Sequence, residues 1–139
     1  MLLLLDKTVG RFVPVRFISF ALVGGLGVIV HFLVLSTLFV GLDAGFRLSQ
    51  AAATGVAIQF NFLMNNMLTY RDRRLKGRRL ILGWLIFNLV SATGAIANVG
   101  ISGWVYAREG MWVLSALAGI AVGVVWNYAM SSIFTWSKK

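Results

Sequence analysis

The 139-residue sequence contains no cysteine, a single proline (Pro14), a single histidine (His31) and only four acidic residues. Without cysteine there is no disulfide and no thiolate chemistry. Asp6, Asp43, Asp72 and Glu109 all fall in tails or loops, outside every long apolar run. The apolar runs therefore hold no carboxylate pair for acid–base work, no Cys/His cluster for a metal and no Ser-His-Asp set. These absences predict a protein that is not an enzyme and needs no cofactor. Charge is scarce as well: 12% of residues are charged and 59% hydrophobic, against roughly 25% charged in a soluble domain. That is the composition of a membrane protein, and the length suits one domain over 1–139. A net charge of +9 could point to nucleic acid, but the basic residues sit between apolar runs, as they do at a membrane surface, so no nucleic-acid partner is expected.

What is present is four long uncharged runs, at about 17–40, 48–69, 80–106 and 111–134. A helix rising ~1.5 Å per residue needs about 20 residues to cross a ~30 Å hydrocarbon core. Pro14 leads into the first run, at a helix start where its missing N–H is no loss. The linkers at 41–47 and 107–110 are short, so they close antiparallel hairpins. The opening MLLLLDK is too short for a signal-peptide core and reads as an interfacial or disordered end. Eleven of the thirteen basic residues fall before the first run, between the second and third, or at the C-terminus. The positive-inside rule then predicts cytoplasmic termini and a cytoplasmic central loop. The expected fold is an all-α membrane protein of the cytoplasmic (inner) membrane, with four transmembrane helices as two duplicated hairpins in a parallel repeat.

The duplication is visible in the residues. A shift of 66 lays Phe60-Asn61-Phe62 on Trp126-Asn127-Tyr128, Met64 on Met130, and Thr69-Tyr70 on Thr135-Trp136. A shift of 67 lays Phe20, Gly24, Gly27 and His31 on Phe87, Ser91, Gly94 and Asn98. Each copy carries a polar stripe at four-residue intervals, Asn61, Asn65, Thr69 and Asn127, Ser131, Thr135, which is one face of a helix. The small residues Ala53 and Ala57, Gly119 and Gly123, and Gly24 and Gly27 suit close helix packing, and the first two pairs could also serve a homo-oligomer interface.

Two readings of the stripes stand side by side. Asn61, Asn65, Asn127 and Ser131 can bond helix to helix at about 1 kcal/mol or less per pair. Alternatively His31, Gln59, Asn61, Asn65, Asn98, Asn127 and Ser131 line a polar path for a sugar, where uncharged amides and hydroxyls suit sugar hydroxyls. His31 has no acidic partner in any span, and its counterpart is Asn98, which favours hydrogen bonding over proton relay. The basic loop sets topology and attracts anionic lipid at up to ~1 kcal/mol per residue. Arg16, Arg71, Arg73 and the Lys138/Lys139 end could in addition hold a lipid phosphate. Tyr70, Trp84, Trp104, Tyr106, Trp112, Trp126 and Trp136 read as an interfacial aromatic belt, with Phe60 and Trp126 deeper.

The stretch Asn61-Phe62-Leu63-Met64-Asn65-Asn66-Met67-Leu68-Thr69-Tyr70 resembles the second-helix ending of the GtrA-like family. Arg16-Phe17-Ile18-Ser19-Phe20-Ala21-Leu22-Val23-Gly24-Gly25 looks like the family's opening, and Asn127 to Trp136 like its weaker second copy. The resemblance covers essentially the whole chain. Asn66 stands where many members have Arg or Lys, Leu68 where an aromatic is usual, and His31 where many have an acid. A phosphate-binding role for that turn accordingly shifts to Arg71 and Arg73. The resemblance implies a small protein of cell-surface polysaccharide synthesis that flips a polyprenyl-phosphate-linked sugar to the outer leaflet, beside a membrane glycosyltransferase. The alternative it implies is a scaffold that recruits that glycosyltransferase.

Overall fold

The computed structural model describes residues 14–137, apart from the side chains at helical positions 46, 47, 99, 102, 106, 112, 113, 115 and 116. Lys7, Arg11, Lys138 and Lys139, the N-terminal MLLLLDK stretch, and the side chains of Arg47, Tyr106 and Trp112 lie outside the described residues. Helix α1 runs Val15–Ser36 and passes into a one-turn π-helical segment, Thr37–Gly41. Helix α2, Phe46–Met64, passes into a second π segment, Asn65–Thr69, followed by a 3-10 turn at Arg71–Arg73. Helix α3 runs Arg78–Glu109, and α4, Trp112–Met130, closes on a third π segment, Ser131–Thr135. No strand occurs among the described residues.

The helix ends follow from local chemistry. The Pro14 carbonyl accepts the Phe17 and Ile18 amides at 2.8 and 3.3 Å, so proline opens α1 without losing a donor. The link from α1 to α2 turns through Asp43 at φ 52°, and the link from α3 to α4 through Gly110 at φ 66°. Both take the left-handed conformation, which glycine adopts at no steric cost and Asp tolerates.

Burial differs from that of a water-soluble bundle. Ser49, Asn65, Asn66, Thr69, Ser91, Ser131 and Thr135 are buried alongside apolar residues such as Phe20, Phe62 and Phe87, while Leu22, Ile29, Leu33, Ile81, Leu89 and Ile120 are exposed. An apolar outside with polar groups turned inward is what hydrocarbon as solvent selects, since lipid tails solvate leucine and cannot satisfy a hydroxyl or amide. Among the described residues three helices are long and apolar enough to cross a membrane: Val15–Gly41, Arg78–Glu109 and Leu117–Thr135. The remaining helix, α2 with its π segment, carries Gln50, Gln59, Asn61, Asn65 and Asn66, which lower its apolar character.

The chain divides into two compact units between Arg74 and Leu75. In the first, α1 packs along α2, and in the second α3 packs along α4. Each is an antiparallel hairpin, and the sequence repeat is a repeat of burial. Phe20, Val23 and Gly27 are buried on α1, and their counterparts Phe87, Val90 and Gly94 on α3. On the second helix of each hairpin, Ala53 and Ala57, and at the equivalent positions Gly119 and Gly123, are buried.

Ala53 and Ala57, the small pair expected to serve helix packing, are both in the buried core, at 0% and 9% exposed.

Candidate functional site

The closest approach in each hairpin places an asparagine amide on a glycine. A Cβ built on Gly27 would overlap the Asn61 Oδ1 oxygen and fall 2.7 Å from both Cγ and Nδ2 of that amide. A Cβ built on Gly94 would overlap Asn127 Oδ1 and fall 2.9 Å from its Cγ. Each amide oxygen thus lies along a glycine Cα–H direction, the geometry of the weak Cα–H···O contacts found at helix interfaces. Both oxygens are buried, and neither has an N–H or O–H partner. An acceptor left unmade in an apolar setting costs about 1–3 kcal/mol. The same unpartnered acceptor recurs at the equivalent position of each hairpin.

Other members of the stripe are occupied differently. Thr69 Oγ1 donates to Asn65 Oδ1 at 2.7 Å, one helical turn back and fully within the first hairpin. The bond runs along one helical segment rather than from helix to helix. In the second copy serine replaces this asparagine, and Ser131 Oγ and Thr135 Oγ1 are buried with no hydrogen-bond partner. The shorter side chain does not bridge the turn. Thr69→Val is therefore expected to destabilise the protein by about 1–2 kcal/mol by stranding the Asn65 oxygen, whereas Thr135→Val is expected to be neutral or slightly stabilising. Thermal unfolding of the two variants in detergent checks this, and equal losses would refute the asymmetry.

The remaining expected residues are dispersed. Asn98 lies beside the close contact of the second hairpin, where a Cβ on Gly123 would sit 3.6 Å from Asn98 Nδ2. Ala57, the counterpart of Gly123, already carries that carbon, so the two hairpins differ there by one methyl group. His31, the counterpart of Asn98, is half-buried with its ring edge-on to Phe32 at 5.5 Å. Gln59 is half-buried and engaged elsewhere in the protein. Gly24 meets nothing within 4 Å of an added Cβ, so the close packing on α1 rests on Gly27 and not on both glycines.

The π segments set the charged end. Their closing bonds run from Tyr70 N to Asn65 O at 2.8 Å and from Trp136 N to Ser131 O at 2.9 Å. The wider turn tucks the following aromatic inward, and Tyr70 and Trp136 are both 0% exposed. They are core residues, not part of an interfacial belt; Trp84 and Trp104, at 40% and 56% exposed, keep the belt character. Trp126, beside the stripe as expected, donates its Nε1–H to Thr93 Oγ1 at 3.0 Å.

After Tyr70 the first hairpin gathers charge. Arg16 pairs with Asp72 through its NH2 group, Arg73 Nε lies 3.7 Å from the same carboxylate oxygen, and the Arg16 guanidinium carbon stands 5.9 Å from the Tyr70 ring centroid. Arg71 is exposed next to them. Among the described residues the second hairpin has no such cluster. Gly83 stands at the counterpart of Arg16, an added Cβ there would overlap Leu75, and Thr135 Cγ2 is 3.6 Å away. Trp136 packs edge-on to Phe87 at 5.6 Å in the same region. Sequence reasoning placed Arg16 and Arg73 at this end but missed Asp72, Gly94 and Tyr70. The signal for Gly94 was its alignment with Gly27 opposite the repeated asparagine.

No cluster of three or more His, Cys, Asp or Glu able to hold a metal occurs among the described residues. Comparison with curated proteins returns no match. A family described as GtrA/DPMS, transmembrane domain, matches residues 19–136. With nearly the whole chain matched and with helices of spanning length and composition, the protein spans a membrane and belongs to the GtrA/DPMS transmembrane-domain family.

Proposed function

We propose that this protein works in the polysaccharide or glycolipid pathways of the cell surface. In this reading it moves a polyprenyl-phosphate-linked sugar from the cytoplasmic to the outer leaflet of the inner membrane, without catalysing a covalent step and without a cofactor. The observation that carries this reading is the pair of buried, unpartnered amide oxygens at Asn61 and Asn127, one per hairpin. Had these asparagines served only to tie helices together, their oxygens would accept an N–H or O–H from the neighbouring helix. An acceptor held ready in an apolar setting suits a donor that arrives and departs, and sugar hydroxyls are such donors. The prenyl tail would stay in lipid against the exposed leucines and isoleucines. Arg16, Arg71 and Arg73 would receive the phosphate by charge-assisted hydrogen bonds. Basic residues crowd this end, which the positive-inside rule assigns to the cytoplasm.

The test is transbilayer movement of a polyprenyl-phosphate sugar in proteoliposomes holding this protein alone. Asn61→Ala/Asn127→Ala is expected to slow movement roughly tenfold or more, since each lost acceptor is worth about 1 kcal/mol, and Arg71→Ala/Arg73→Ala to weaken capture of the lipid. Movement no faster than in empty liposomes, with the protein folded, would sink the flippase reading. Recruitment of a membrane glycosyltransferase would then be the better account.

A further inference from the structure

The charged end of the first hairpin is already filled by an anion of the protein's own. Asp72 is the sole carboxylate in the basic stretch 71–79, and one of its oxygens faces both Arg16, from the start of α1, and Arg73, from the 3-10 turn. Arg16 comes from 56 residues earlier in the chain, so the pair is a tertiary contact and not a local accident of the loop. Tyr70, fully buried at the end of the π segment, supplies an aromatic face near the Arg16 guanidinium. The Asp72 side chain is half exposed, at 51%, while those of Arg16 and Arg73 are 33% and 21% exposed. The carboxylate is thus the outermost member of the cluster, able to swing out while the two guanidiniums stay in place.

We propose that Asp72 is a tethered competitor for a single phosphate-ester site formed by Arg16 and Arg73. This rests on the lipid-phosphate reading given above and adds how that site is regulated. A phosphate oxygen takes the place of the Asp72 oxygen, and Asp72 returns when the phosphate leaves. The two arginines are paired in both states, so neither arrival nor departure leaves a bare charge. The exchange keeps net affinity low, which a translocation site requires, since binding must be strong enough to capture and weak enough to release. The counterpart of Arg16 in the second hairpin is Gly83 packed by Leu75, so no second arginine stands at that position.

The experiment is a binding titration of the full chain in phosphatidylcholine nanodiscs. Undecaprenyl phosphate and inorganic phosphate are titrated separately, so that a lipid headgroup and a free anion are told apart. Asp72→Asn keeps the side-chain shape and removes the charge. It is expected to tighten binding of the lipid phosphate about fivefold, which is about 1 kcal/mol at 1.4 kcal/mol per tenfold, and to slow its release. Asp72→Ser should do the same, and in an Arg16→Gln background the gain should vanish. Tightening confined to inorganic phosphate would overturn the lipid assignment. If Arg16→Gln weakens binding but neither Asp72 variant tightens it, the competitor role is wrong while the phosphate site stands. If Arg16→Gln and Arg73→Gln leave binding unchanged, the phosphate site itself is wrong, and the competitor role with it.

Discussion

Gly27→Ala, a change of one methyl group, is expected to destabilise the protein by about 1–3 kcal/mol, the range for forcing an extra carbon into a packed interior. The reason is local. The methyl would occupy the position of the Asn61 amide oxygen, so the amide must leave its seat or the two helices must separate. Gly25→Ala is the control, because a Cβ there meets nothing and alanine is the better helix former by roughly 1 kcal/mol. Asn61→Ala makes room for the new methyl, so Gly27→Ala/Asn61→Ala is expected to recover most of the lost stability, with a coupling of about 1–3 kcal/mol between the two sites. The double variant is nonetheless expected to remain defective in sugar translocation, because the acceptor is gone. Thermal unfolding together with the proteoliposome assay separates the two roles of the amide. Additive stability losses would mean that glycine and amide do not share the space assigned to them.

The second large effect is at the opposite kind of position. Trp136→Ala is expected to lower stability by about 3 kcal/mol or more, the usual scale for deleting a buried tryptophan. Trp136 is fully enclosed, stands edge-on to Phe87 and follows the last π bond of the chain. In lipid the transfer of apolar surface from water contributes little, so the loss comes from the cavity and from dispersion contacts left without a partner. Trp104→Ala, at an exposed site where the ring meets only the Arg108 guanidinium 4.2 Å away, is expected to cost under about 1 kcal/mol. Unfolding midpoints in detergent decide the matter, and equal midpoints for the two variants would show that Trp136 is not a core residue.

The four helices were legible because span length, loop charge and a repeat at 66–67 residues leave strong marks on a sequence. The pairing of Asn61 with a helix neighbour was half legible. Periodicity placed the asparagines on one face and the glycines on another, but only coordinates show that Gly27 rather than Gly24 receives the amide, since the two glycines, three residues apart, fall near the same face of α1. The π segments were illegible. A single residue more per turn changes no composition, yet it turned Tyr70 and Trp136 from expected belt residues into core. The Asn65–Thr69 bond and its failure at Ser131 and Thr135 depend on side-chain reach, a difference of one carbon and an amide that the aligned stripes concealed. Asp72 escaped notice because one acid among six basic neighbours reads as a diluted charge run until a distant arginine is found against it.

The Gly83 contact has a consequence for how the two halves should be regarded. Duplication began with two interchangeable hairpins, but an arginine in one and a glycine capped by leucine in the other have made them unlike subunits joined in one polypeptide. A mutation in one half therefore has no obligatory echo in the other. The end of the second hairpin stays basic through Arg78 and Arg79, but where the first half sets Arg16 against a carboxylate, the second sets a bare backbone against leucine.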